Sequence, residues 1–320
     1  MKFQVAIEGF IIIRSSDGAS PHTIKAYQWG LNQLSIFLGN PEIETVTAAD
    51  LRRWLMHLRE RGLTESSVQV GWRTFRAFFS WASDASAEFH FPRPDGRIPK
   101  PAAAGRAVIP FTDDEVHRLI KACEYTAPSA ESESRKPFQM HRPTANRDKA
   151  IVMVLVDTGL RVSECARLTI ADVNVLTGDV EVKPYLSGRK SRGRTVHLGK
   201  HTRKALWIYL SSRGEPEDQE DQDPLFTTEN NQPMDRGGNA YSLLKLLRRL
   251  GDRAGVKNVH PHRFRHTFAI QYLRNGGDVF TLQRLLGHRS LSMVRVYLDL
   301  ADSDSSDAHR KASPVDRWKL

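Results

Sequence analysis

Asp157-Thr158-Gly159-Leu160-Arg161-Val162-Ser163-Glu164 stands between two apolar stretches, Ala150 to Val156 and Val162 to Leu168, and its reading sets the architecture of the C-terminal half. A glycine between such runs suits a tight turn joining two helices, because it enters the left-handed backbone region without a Cβ penalty. Arg161 then falls where the second helix begins, with Glu164 in its first turn. Downstream, Val180 and Val182 alternate with polar neighbours, as does Thr195-Val196-His197-Leu198, and the two flank the basic loop Ser187 to Arg194; this predicts a two-stranded hairpin. Helical spacing returns at about 239–250, 263–274, 281–286 and 291–298, with Gly276-Gly277 and Gly287 as C-terminal stops. Upstream, Thr112-Asp113-Asp114-Glu115 is a capped helix start, and the polar segment from about Tyr125 to Asn146 reads as a flexible surface insertion.

Farther upstream, Phe91 to Pro110 (FPRPDGRIPKPAAAGRAVIP) carries five prolines and no periodicity, which reads as an extended linker. Before it, from about Pro21 to Ser83, apolar residues recur at helical spacing: Tyr27, Leu31, Leu34 and Phe37; Leu51, Trp54, Leu55 and Leu58; Val68, Trp72, Phe75, Phe78 and Phe79. The expected fold is mainly α: a helical domain at 1–93, a linker at 94–109, and a mixed α+β domain with a small sheet at 110–320.

The 320 residues include 47 Lys and Arg against 37 Asp and Glu, a formal charge of +10 that favours a polyanionic partner such as nucleic acid. Cys123 and Cys165, the two cysteines, lie far apart and in no metal-ligand spacing, so neither a disulfide framework nor a zinc site is expected, and a reducing compartment fits. The run Phe10-Ile11-Ile12-Ile13 lacks the basic leader and long apolar core of a signal, and no stretch is long enough to span a bilayer; a cytoplasmic protein is expected.

The C-terminal half holds Arg161, Lys190, His262, Arg265, His288 and Tyr297 at helix starts and loop ends. Together they supply fork-shaped positive donors for phosphate oxygens, an acid for a leaving oxygen and a hydroxyl nucleophile, the needs of transesterification at a phosphodiester. Arg189, Lys190, Arg192, Arg194, Lys200, Arg203 and Lys204, with Arg52, Arg53, Arg73 and Arg76 in the first domain, read as a patch that tracks DNA phosphates.

In the motifs TGLRVSE (Thr158 to Glu164), HRFRH (His262 to His266) and LLGH followed nine residues later by Tyr297, the sequence resembles the tyrosine recombinase or phage integrase family, and Ser20-Pro21-His22-Thr23 to Phe37 resembles that family's helical core-binding domain. The resemblance implies a site-specific recombinase in which Tyr297 attacks phosphorus to form a 3′-phosphotyrosine. Arg161 and Arg265 would bind the phosphate oxygens, with Glu164 buttressing Arg161. His262 would assist the phenol and His288 bond to the phosphate, with His266 behind them. Lys190 would protonate the departing 5′-oxygen, although Arg189 competes for the same position. It implies double-stranded DNA as partner, a two-domain clamp, a homotetramer on paired sites from monomers off DNA, association with the nucleoid in a prokaryote, and no metal or other cofactor. A type IB topoisomerase and a non-catalytic DNA-binding protein are the alternatives.

Overall fold

In the computed structural model, the described residues are 1–84, 91, 93–102, 109–127, 138–184, 193–213, 222–238, 240–288, 290–301, 313, 315 and 318. They form two compact units, Met1–Ala107 and Val108–Leu320.

The first unit is helical: α1 (Phe3–Ser16), α2 (Pro21–Leu38), α3 (Ala48–Glu60) and α4 (Glu65–Ala82). Side-chain caps start three of them: the hydroxyls of Ser20 and Thr64 accept from backbone N–H groups of the first turn, and Thr47 with Asp50 forms a reciprocal capping box. Helix α1 was not expected from the sequence. Its N-cap, Lys2, makes no side-chain cap bond, so the usual start signal is missing. Tertiary burial of Phe3, Ala6, Ile7 and Phe10 against Phe78, Phe79 and Trp81 stabilises it instead. The proline-rich stretch also differs from a free linker in its described part. Phe91 and Ile98 enter the core of this unit, Trp72 Nε1 donates to Ile98 O at 3.2 Å, and buried Asp95 pairs with Arg76 and Arg93. Two apolar residues and one acid among the prolines suffice to fold the chain back onto α4.

The second unit runs α5 (Asp113–Glu124), α6 (Ala145–Thr158), α7 (Val162–Ala166), β1 (Asp179–Val182), β2 (Arg194–His197), α8 (Lys200–Arg213), α9 (Tyr241–Ala254), α10 (Pro261–Arg274), α11 (Val279–Leu286) and α12 (Ser292–Ala301). The strands pair antiparallel with Val180 opposite Val196 and Val182 opposite Arg194, the hairpin that alternation predicts. Helix α6, which packs on α5, α8 and α10, is the central rod of this unit. Helix α8 was hidden under its own charge: Lys200, Arg203 and Lys204 read as a basic patch, yet Thr202, Ala205, Leu206 and Tyr209 are buried at helical spacing. The polar segment between α5 and α6 is pinched at its base, where Thr126 N donates to Met140 O and Arg142 N to Glu124 O. Helix α10 is fixed to the start of the unit by Thr267 Oγ1, which accepts from Phe111 N at 2.7 Å, and by Arg263, which lies over the Phe111 ring and bonds Glu115 at 2.6 Å. A small cluster separate from the main core joins α10, α11 and α12 through Ile270, Leu273, Leu282, Leu286, Val294 and Tyr297. No helix among the described residues is long and apolar enough to cross a membrane.

Candidate active site

The turn from Asp157 to Glu164 builds the first part of the site. Gly159 ends α6 in the left-handed region at φ 62°, and Arg161 is the N-cap of α7. Glu164 reaches back from the first turn of α7, accepting from Arg161 N at 2.8 Å and from Arg161 Nη1 at 2.9 Å. The same carboxylate accepts both Nη atoms of Arg194, at 3.0 and 2.8 Å. Burial opposes ionisation of Glu164, but the hydrogen bonds and charges of Arg194 and Arg161 outweigh it and hold the group down at about 2.

Arg265 comes from the second turn of α10 and is buried. Its Nη1 donates to Gly159 O at 2.9 Å and its Nη2 to Leu286 O at 2.5 Å, carbonyls at the C-terminal ends of α6 and α11. Helix C-termini carry partial negative charge and unsatisfied carbonyls, so the two ends form a natural socket for a guanidinium. Burial and the charge of Arg161 lower Arg265 to about 10, which leaves it cationic at neutral pH.

Tyr297 on α12 is 5% exposed, and its hydroxyl lies 2.9 Å from Nδ1 of His266. Burial raises the phenol's pKa, while Arg265 and Arg161 act to lower it. His288, just beyond the C-cap of α11, stacks parallel to the Tyr297 ring at 6.4 Å, and its buried Nδ1 has no protein partner among the described residues. His266 and His288 are both lowered to about 4, first by burial and then by neighbouring positive charge, so both rings are neutral at pH 7. His262, one turn before His266, is solvent-exposed; partial desolvation and then Arg265 and Arg161 lower it as well.

Arg161, Glu164, His262, Arg265, His266, His288 and Tyr297 are thus brought together. Two readings change. The residue bonded to the phenol is His266 and not His262, because the α10 position one turn later faces α12. Arg194 is not an exposed side chain of a basic patch: it is 8% exposed and turned inward onto Glu164 and Leu285 O. As the first residue of β2 it points into the core side of the hairpin, opposite Val182. The i, i+4 spacing of His262 and His266 carried the first signal; for Arg194, strand alternation with buried Val196 carried the second. Lys190, Arg189 and Arg192 lie outside the described residues. In the first unit Arg52, Arg53 and Arg73 are exposed, whereas Arg76 is half-buried over the Trp72 ring. Arg53 bonds Asp50 and Arg73 bonds Gln69. Among the described residues, no group of three or more His, Cys, Asp or Glu is placed to hold a metal ion.

Residues 110–304 match the phage integrase family, and residues 7–86 match the phage integrase N-terminal SAM-like domain. The chain belongs to the phage integrase family, and it is a site-specific recombinase of the tyrosine type. It is 29% identical to the tyrosine recombinase XerC of Oceanobacillus iheyensis, over 98% of this chain and 97% of that protein. With the tyrosine recombinase XerA of Thermococcus kodakarensis it shares 28% identity over 97% and 96% of the two chains. In fold it is similar to the Tn1549 transposon integrase solved in complex with circular intermediate DNA, with a TM-score of 0.71, 21% identity, and coverage of 97% of this chain and 99% of that one.

Proposed function

We propose that Tyr297 is the nucleophile that cleaves and rejoins DNA strands in this recombinase. The observation that carries the reading is the Tyr297 hydroxyl held by neutral His266 within the field of Arg161 and Arg265. As the phenolic oxygen bonds to phosphorus, its proton passes to His266 and the bond from phosphorus to the 5′-oxygen breaks. A base lowered to about 4 does not take a phenol proton in the ground state, so transfer accompanies attack. An arriving phosphodiester anion raises the basicity of the ring by its own charge. Arg161 and Arg265 stabilise charge on the non-bridging oxygens, and His288 and His262 add hydrogen bonds there. Lys190 delivers the proton that lets the 5′-hydroxyl leave; an ammonium can lose a proton and the guanidinium of Arg189 essentially cannot. Reversal with a different 5′-hydroxyl rejoins the strand.

The substrate is duplex DNA carrying paired recombination sites, engaged by a homotetramer that assembles from monomers in the cytoplasm, at the nucleoid in a prokaryote. The DNA-bound state of the similar solved integrase and the net charge of +10 support DNA as the partner. Neither the topoisomerase nor the non-catalytic alternative is favoured by any relative named above. The test is a nicked suicide duplex resolved on a denaturing gel. Tyr297→Phe keeps the packed ring and should lose the covalent protein–DNA adduct while retaining site binding. An undiminished adduct removes Tyr297 from the role.

A further inference from the structure

Glu164 is a buried carboxylate with two guanidinium neighbours, and the two are not equivalent. Arg194 grips it through both Nη atoms, at 3.0 and 2.8 Å, while its Nε donates to Leu285 O at 2.6 Å, so every nitrogen of its fork is committed to protein. The guanidinium of Arg161 meets the same carboxylate through Nη1 alone, beside the bond from its backbone N, and its side chain is 30% exposed against 8% for Arg194. The surroundings also fit Arg194 closely. A Cβ on Gly287, which stands at φ 63°, would meet Arg194 Nη1 at 3.2 Å and Cδ at 3.4 Å, so the backbone after α11 comes this close because it has no side chain there.

We propose that Arg194 is a positioning residue for strand cleavage: it neutralises Glu164, so that Arg161, while oriented by that carboxylate, keeps its positive charge for the scissile phosphate. This rests on the reading of Arg161 as a phosphate ligand. Two guanidiniums and one carboxylate leave the triad with one net positive charge, on the exposed member. Without Arg194, the carboxylate has a single partner, and the pair that faces the phosphate is electrically neutral. Removing one member of a buried ion pair leaves the other uncompensated, which strengthens its hold on any remaining cation. A buried pair that served packing alone could be replaced by an apolar group of similar volume at little loss.

That difference supplies the test. Single-turnover cleavage of the suicide duplex at saturating protein is compared for wild type, Arg194→Met, Glu164→Gln, the double variant and Arg161→Ala, each checked for a cooperative thermal transition. Arg194→Met should cleave on the order of a hundredfold more slowly, as for loss of an oxyanion donor, and adding Glu164→Gln should recover roughly tenfold or more, because the carboxylate that captures Arg161 is gone. The ratio of Arg194→Met to wild-type rate should also rise as the pH falls and Glu164 takes up a proton. If methionine is not tolerated, Arg194→Gln removes the charge while keeping a hydrogen-bond donor, and the same rescue by Glu164→Gln is expected. Additive or worsened losses in the double variant would make Arg194 a packing residue and overturn the proposal. Cleavage unaffected by Arg161→Ala would instead overturn the reading of Arg161 on which it rests.

Discussion

Nδ1 of His266 and the hydroxyl of Tyr297 lie 2.9 Å apart, tying α10 to α12 at the proposed nucleophile. His262, at the other end of the same helical turn, is solvent-exposed. The two histidines therefore separate by experiment. His266→Ala should slow adduct formation by roughly ten- to a hundredfold and also lower the melting temperature, because a mostly buried hydroxyl loses its partner. His262→Ala should slow cleavage with the melting temperature unchanged. Parallel thermal melts and single-turnover gels check both; equal melting temperatures for the two variants would count against the His266 contact.

Gly159 is held by two independent constraints. Its φ of 62° disfavours any side chain, and a Cβ there would stand 2.4 Å from the Phe268 ring. Its carbonyl also anchors Arg265. Gly159→Ala should destabilise the protein by about 1–3 kcal/mol and slow cleavage as well, since strain at this turn shifts the acceptor of the arginine proposed to bind the phosphate. Denaturant unfolding alongside cleavage measures both, and a fully active, fully stable alanine variant would contradict the argument.

The histidine and carboxylate shifts predict a stability profile with two acid-side windows. His266 and His288 drop from the ordinary 6.5 to about 4 in the folded state, so between those values the unfolded chain binds more protons and stability falls as the pH falls. Glu164 drops from 4.5 to about 2, so its contribution is present above 4.5 and is lost as the pH falls through about 2. Urea midpoints measured from pH 7 to 4 should decline, and His288→Asn should flatten that decline. An unchanged slope in the variant would show that His288 is not neutral in the folded protein.

Much of this was legible in residue spacing because periodicity and capping act locally. The helices of the second unit from α9 onward, the hairpin, and the turn at Gly159 follow from patterns a few residues long. Helix α1 and the refolded segment around Ile98 were not legible, because distant aromatic rings stabilise them and no local signal does. The site divides in the same way. A motif places Arg161, Arg265 and Tyr297 in a chain order, but whether His262 or His266 faces the phenol depends on where α12 crosses α10. Arg194 looked like a surface charge among other charges; only its register opposite Val182 turns it inward.

The helix that bears Tyr297 belongs to the small cluster with Ile270, Leu273, Leu282 and Leu286, apart from the main core, and among its described side chains only Val294 and Tyr297 are buried. Two buried side chains and the bond from Tyr297 to His266 are a small anchorage beside that of α6, so α12 is expected to open locally at a lower free-energy cost than the frame around Gly159 and Arg265. Backbone amides of 294–298 should then exchange with deuterium well before those of 151–155 in the mostly buried middle of α6. On the role proposed for Tyr297, the protein would present or withhold its phenol at the energetic scale of local fraying, with the socket of Arg265 left intact.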